Sequence, residues 1–486
     1  MSDSIMTPPP QRRGRKIALA AFALSARGLE QITMLVVMLL AARFMLPADY
    51  GIYSIAVICV TLIQTLTYTG FYHFIITSPA EDRSVLNTSF WLLFGLGAGG
   101  ALLLVAAAWP LAIVFEASEL AWVLILLALA QPIASIEAWC AAVLLRRQAV
   151  NRHFLVMFTQ NVVGLVVGVV LLWSWQSIYA LVAFRYAKLL VSTTLYLVSM
   201  RERPSFTLDR GLARTAMSFS GGLYGARIMT FAARYGADLV LGVMFSTTET
   251  GLYRFGNRVA SGATDVVAQP MRSFAQTQFG AAGRAGLSFE NQLARFAGTV
   301  TVLTGGIAAV ILVFAADLVA LMFQPAYLAA MTVTYALAAR AVLAIGPFLL
   351  EPAAAAMGRT GIVMRFNMFG AVVSIAAVFA AAPFGLAALA WAQAGTSALL
   401  SLGSVYVLAR MGNLKVWPAM RSFAVALILV LAYALVLYAT REALHARIDD
   451  PTIALVAGLA SAVILGLGAM AVAARLRVFQ LAAFSG

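Results

Sequence analysis

The feature that most constrains this chain is a succession of apolar runs, each about 20 residues long and bounded by charge, Pro or Gly. Runs of that length match the hydrocarbon thickness of a bilayer, and here they follow one another from near the N-terminus to residue 474. With 62% hydrophobic and 11% charged residues among 486, too little polar surface is available to clothe a soluble globule, so that class is excluded. The expected fold is an all-α polytopic membrane protein of about fourteen spanning helices.

The formal net charge of +14 would point to nucleic acid in a soluble domain. In this chain the bases fall between apolar runs in alternation, which reads as topology. One set of loops collects Arg146, Arg147, Arg152, Arg201, Arg203, Arg210, Arg284, Arg359, Arg410, Lys415, Arg475 and Arg477, and the opposite set holds mostly acids such as Asp49, Glu116, Glu119, Glu249 and Asp317. Both termini are therefore expected to be cytoplasmic. Trp109, Trp122, Trp173 and Trp175 fall at the opposite helix ends, where amphipathic indoles favour the headgroup level. Residues 1–16, with three prolines and four bases, read as a cytoplasmic basic tail, and the long apolar run after it reads as a retained first helix. Cys59 and Cys140, both in apolar segments, provide no disulfide framework.

An ungapped offset of 200 residues aligns Ala26-Arg27 with Ala226-Arg227, Asp49-Tyr50-Gly51-Ile52-Tyr53 with Glu249-Thr250-Gly251-Leu252-Tyr253, and Phe74 and Thr77 with Phe274 and Thr277. The matches fall on the first helix, the turn and the second helix of each half. The spacing predicts an N-terminal six-helix lobe at 17–200, a cytoplasmic linker at 201–214, a second six-helix lobe at 215–410, and a linker with two additional transmembrane helices at 411–486. An offset of six helices preserves orientation, so the lobes would be related by a pseudo-two-fold along the membrane normal.

Ionisable residues inside the spans are the candidate functional groups, since a charge at mid-bilayer costs about 2.5–3.5 kcal/mol unless it meets water or a partner. Arg27 and Glu30 lie in the first helix, Arg185 and Lys188 in the sixth, Arg227, Arg234 and Asp238 in the seventh, and Arg254, Arg258, Asp265 and Arg272 in the eighth. Arg227 and Arg234 share a helix face, and Arg234 can pair with Asp238 four positions on. Bases outnumber acids, so an anion is expected among them. Arg suits a phosphate, because its planar fork meets two oxygens and stays charged in a low dielectric. Glu30, Asp238 and Asp265 are the coupling-ion candidates, with compensation of neighbouring arginines the simpler role by spacing alone. Pro132, Pro270, Pro347 and Pro352 are expected to interrupt backbone bonds. Gly164 and Gly168 mark close helix packing.

No GxxxxGK followed by Ser or Thr and no HExxH spacing occurs, and His73, His153 and His445 are far apart, so neither a cofactor nor a metal is expected. Asp449-Asp450-Pro451 reads as a helix cap. "ARFMLPADYGIYSIA" (42–56), "LNTSFWLLF" (86–94), "IYALV" (178–182) and "ADLVLGVMFSTTETGLYRFGNRVA" (237–260) together resemble the Wzx-like polysaccharide transporters, in the WzxC-like branch. Met45-Leu46-Pro47 departs from the commoner Leu-Gly-Pro turn.

That resemblance implies a flippase, not an enzyme, of the multidrug/oligosaccharidyl-lipid/polysaccharide superfamily. It implies transfer of polyprenyl-diphosphate-linked repeat units to the outer leaflet of the bacterial inner membrane by alternating access around a cationic cavity. It further implies polysaccharide polymerase and export proteins as partners. By the same resemblance Arg27, Arg227, Arg254 and Arg258 would hold the diphosphate. Peptidoglycan-precursor flippases and multidrug exporters share the superfamily, and a membrane-embedded polymerase or ligase would need a larger outer loop than this chain has.

Overall fold

The computed structural model describes residues 28–200, 203–284, 289–412 and 414–479, and every regular element among them is helical. Arg27, residues 1–16 and the start of the first predicted helix lie outside the described residues. Helix α1 covers residues 28–44. There follow α2 (Pro47–Thr67), α3 (Thr69–Thr77), α4 (Asp82–Val114), α5 (Ser118–Leu129), α6 (Gln131–Arg146), α7 (Val150–Trp175), α8 (Ile178–Ser199), α9 (Arg210–Met244) and α10 (Thr247–Arg284). The second half continues with α11 (Phe289–Met322), α12 (Met331–Leu343), α13 (Ile345–Ala356), α14 (Thr360–Ala381), α15 (Leu386–Gly412), α16 (Trp417–His445) and α17 (Pro451–Arg475), with short 3-10 turns at Pro325–Ala330 and Ala382–Phe384.

Among the described residues, 11 helices are long and apolar enough to cross a membrane. The other three predicted segments are occupied by α1 and by α9 and α10, which run 35 and 38 residues and carry most of the intramembrane charge.

Three predicted spans are each split in two, and proline explains two of the breaks. Pro132 is the second residue of α6, and Pro347 the third of α13. A proline has no N–H for the carbonyl four residues back, so inside a membrane that carbonyl needs another donor. At the first break the carbonyl four back from Pro132, Ala128 O, is met by the Ala130 N–H, and its neighbours take side-chain donors, Leu126 O from Tyr186 Oη at 2.5 Å and Leu127 O from Gln131 Nε2 at 3.0 Å. At the second, Leu343 O, orphaned by Pro347, accepts from the Ser401 hydroxyl of α15. Pro270 and Pro352 lie inside continuous helices. A third break, between α2 and α3 at Tyr68, has no proline.

The contacts divide the chain into two compact units, one reaching to Met45 and resuming at Ile52–Phe231, the other formed by Leu46–Gly51 and the chain from Ala232 onward. In the first unit Phe71, Phe74, Trp139, Tyr196 and Ala216 build a buried core, and the Trp139 indole donates to Leu86 O at 3.0 Å. Gly168 of α7 lies tight against Val37 and Phe184, as the small-residue spacing predicts. Trp109, Trp122, Trp173 and Trp175 are each more than half exposed, with Trp109 edge-on to Trp122 at 6.0 Å.

In the second unit the repeat-matched glycines meet. A Cβ on Gly51 would strike the Thr247 carbonyl, and one on Gly251 would strike the Pro47 carbonyl, so each lets the other's helix start approach to backbone contact. Met271, Phe279, Phe296 and Phe348 fill the core between α10, α11 and α13. Phe314 of α11 packs with Tyr433, Leu437 and Leu455 of α16 and α17. Asp450 caps α17 as expected, and the backbone amides of Thr452 and Ile453 hold its carboxyl below the usual carboxylate range.

Candidate functional site

In the second unit the charges of α9 and α10 meet. Asp238, 4% exposed, takes Arg254 Nη1 on its Oδ2 at 3.2 Å, and the Arg254 guanidinium lies 5.9 Å from the Tyr235 ring centroid. A carboxylate buried this deeply persists only with such a partner. One turn further along α10 are Asn257 and the half-buried Arg258. Arg340, from α12, donates to Gln393 Oε1 of α15 at 2.8 Å and to Asn257 Oδ1 at 3.4 Å. Tyr253 Oη donates to the same Gln393 oxygen at 2.9 Å. Three helices are thus bridged by one guanidinium and two carboxamides. Arg340 carries the same signal as Arg185, a base within an apolar run, yet it is not among the sequence candidates.

The first unit contains a parallel arrangement. Arg185 Nη2 of α8 donates to Gln64 Oε1 at 3.4 Å, Gln64 Nε2 to Gln131 Oε1 at 3.2 Å, and Tyr68 Oη to Gln131 O at 3.0 Å. Tyr53, the repeat mate of Tyr253, lies beside Arg185. Lys188, one turn on, rests its stem on Gly164 and holds its ammonium 5.9 Å from the Phe184 centroid. Glu30 and Glu137 share its electrostatic neighbourhood. The two amino-acid types are exchanged between units: Arg185 and Gln393 occupy the same register from their helix starts, Ile178 and Leu386. The fourth spanning segment supplies Gln131 in one unit and Arg340 in the other.

Of the remaining sequence candidates, Arg227 is exposed on α9, its Nη2 3.5 Å from His73 Nε2. Asp265 is exposed on α10. Arg272 lies 3.8 Å from Glu351 and 5.7 Å from the Phe348 ring centroid. The Arg234 side chain lies outside the described residues, as does Arg27. Arg185 and Lys188 thus lie on α8 of the first unit, and Arg254 and Arg258 on α10 of the second.

A cluster of guanidinium groups held by tyrosine and carboxamides, in bundles with proline-broken helices, is equipped to attract an anion. Among the described residues no three His, Cys, Asp or Glu side chains are placed to hold a metal. Residues 40–332 match the family model described as polysaccharide biosynthesis protein. The chain belongs to that family. This agrees with the resemblance carried by 42–56, 86–94, 178–182 and 237–260, all inside the matched span. The succinoglycan biosynthesis transport protein ExoT of Rhizobium meliloti (strain 1021) is 26% identical over 228 residues, 46% of this chain and 46% of that protein. The chain thus spans about half the length of the curated relative it matches.

The fold is that of known transporters. The lipid II flippase MurJ, in an inward closed conformation, superposes with a TM-score of 0.74 at 11% identity, covering 94% of this chain and 99% of that one. An inward-facing multidrug resistance MATE family transporter of the MOP superfamily gives 0.63 at 13% identity, over 80% of this chain and 97% of that one.

Proposed function

We propose that this protein is a flippase for polyprenyl-diphosphate-linked oligosaccharide repeat units, carrying them from the cytoplasmic to the periplasmic leaflet of a bacterial inner membrane for exopolysaccharide or lipopolysaccharide synthesis. The observation that carries the reading is the guanidinium cluster of the second unit, where Arg254 pairs with the buried Asp238, Arg258 follows one turn along α10, and Arg340 reaches Asn257 of that same turn. A diphosphate is the natural complement of such a cluster, because arginine forks fit its oxygens. Family membership supports a glycan as cargo. In this reading Arg27, Arg227, Arg234, Arg254 and Arg258 form the diphosphate site, Arg185 and Lys188 extend it, and both termini are cytoplasmic. Two six-helix lobes, 17–200 and 215–410, alternate access around a cationic cavity, and Glu30, Asp238 and Asp265 are the coupling-ion sites. Polymerase and export proteins of the same polymer would receive the cargo.

A second reading, a peptidoglycan-precursor flippase, is favoured by the fold shared with MurJ over nearly the whole chain. Mass spectrometry of polyprenyl-diphosphate glycans in membranes of cells depleted of this protein separates the two. A complete polysaccharide repeat unit should accumulate facing the cytoplasm and clear on restoration. Accumulation of the peptidoglycan precursor instead would support the second reading, and no accumulation of either would sink both.

A further inference from the structure

The segment that joins α8 to α9 is held down by one turn of α4. Asn87 and Thr88 are 5% and 1% exposed there. Asn87 Nδ2 donates to Ser205 Oγ at 2.5 Å and Thr207 Oγ1 at 2.8 Å, while its Oδ1 accepts from the Ser205 N–H at 3.0 Å. Thr88 Oγ1 accepts from the Asp209 N–H at 3.1 Å, and the Trp91 indole donates to Ser205 O at 2.9 Å. Phe206 stacks on Trp91 with centroids 5.0 Å apart. A non-helical segment has no internal partners for its backbone, and here three of its backbone groups are satisfied by side chains of a single helix turn. These are the residues of the "LNTSFW" motif, which the guanidinium clusters leave unused.

The docking continues into α9. Asp209 Oδ1 accepts from the N–H groups of Gly211 and Leu212 at 2.8 and 3.0 Å, closing the first turn. Ala216 is fully buried in the Phe74–Trp139 core, Phe219 lies 5.8 Å from Phe74, and Gly70 admits Ser220 against its backbone. Two turns beyond Ser220, on the same helix face, stands Arg227.

We infer that Asn87, Thr88 and Trp91 are positioning residues for Arg227: by docking residues 205–209 they fix the start of α9 and hence the placement of that guanidinium. This role rests on the reading of Arg227 as a diphosphate ligand. It explains why an Asn-Thr pair and a Trp occur together at the start of α4, where packing alone would accept apolar residues.

The test uses the full-length protein in lipid nanodiscs. Hydrogen exchange is followed across residues 203–212, together with the rate at which a membrane-impermeant maleimide labels an Arg227→Cys background. Asn87→Leu should speed exchange and shift labelling by about fivefold or more, since it removes three hydrogen bonds and one net bond is already worth about that equilibrium factor. Thr88→Ser, which keeps the hydroxyl that accepts from the Asp209 N–H, should leave both at the parent level. Unchanged exchange in Asn87→Leu would overturn the docking, and faster exchange with unchanged labelling would overturn the positioning role. Trp91→Phe, which removes only the indole N–H donor, carries the same readouts if Asn87→Leu does not accumulate. A parallel assay with arginine restored at 227 follows a fluorescent polyprenyl-diphosphate disaccharide in proteoliposomes. If wild type does not move that probe while labelling still responds to Asn87→Leu, the transport reading fails and the positioning stands.

Discussion

A guanidinium among apolar helices is tolerable only when its fixed fork of donors finds acceptors, and Arg340 finds them on α10 and α15. Its counterpart Arg185 reaches Gln64, which in turn holds Gln131, so each unit ties its second, fourth and sixth spanning segments with one guanidinium and two carboxamides. Because Arg and Gln are exchanged between the fourth and sixth segments, the bridge and not the position of the charge is what the bundle requires. Arg340→Gln should therefore lose about 2 kcal/mol of stability, as for a hydrogen-bonded charged donor. Gln393→Arg should do the same by juxtaposing two bases. The double exchange, Arg340→Gln with Gln393→Arg, should recover most of the loss in thermal unfolding followed in detergent. A double variant as unstable as the summed singles would show that the charge must remain on α12. The sequence exposes Arg185, Lys188 and Arg254 as charges in apolar runs, yet it cannot reveal their partners, since Gln64, Gln131 and Gln393 arrive from other helices and carry no charge to attract notice.

At the scale of the element, proline makes two helix breaks legible in the sequence itself, because the missing N–H at Pro132 and Pro347 has a fixed consequence for the preceding turn. The break at Tyr68 is not legible there. It lacks a proline, and the Tyr68 hydroxyl bonded to Gln131 O ties it to a neighbouring helix that local sequence does not encode. The paired glycines lie between these cases. The repeat identifies Gly51 and Gly251 as equivalent, and the structure supplies the reason, a reciprocal approach of each glycine to a carbonyl of the other's helix start. A methyl group at either site meets rigid backbone, not an adjustable side chain. Gly51→Ala and Gly251→Ala should each destabilise by about 1–3 kcal/mol, the usual cost of overpacking. Gly361→Ala, with open space around its Cβ, is the matched control. Equal melting temperatures for Gly51→Ala and Gly361→Ala would remove the close approach as the reason for glycine.

At the scale of the whole molecule, the two C-terminal helices raise the question of what belongs to the fold. They stand outside the repeat that the sequence suggests, and the family match ends at residue 332, well before them. Packing nevertheless makes them part of the second unit. Phe314 of α11 lies against Gly458, and the Tyr433 hydroxyl donates to Ala462 O at 2.7 Å, locking α16 to α17. At the far end of α11, Asp317 receives Arg441 through two bonds, Nε to Oδ2 at 2.5 Å and Nη2 to Oδ1 at 2.6 Å. A two-pronged pair specifies orientation as well as attraction, so it sets the angle at which α16 leaves α11. In a bilayer, lipid can replace α16 and α17 along the apolar face of α11 at little cost, because acyl chains solvate leucine and phenylalanine as well as a neighbouring helix does. Lipid cannot replace Arg441 at Asp317. A chain ending after Gly412 should therefore insert but unfold at a lower temperature than the full chain, and Asp317→Asn should restore much of that loss in the truncated protein alone. If truncation lowers the melting temperature equally with Asp317 or Asn at that position, the contribution of α16 and α17 lies in packing and the ion pair only records it.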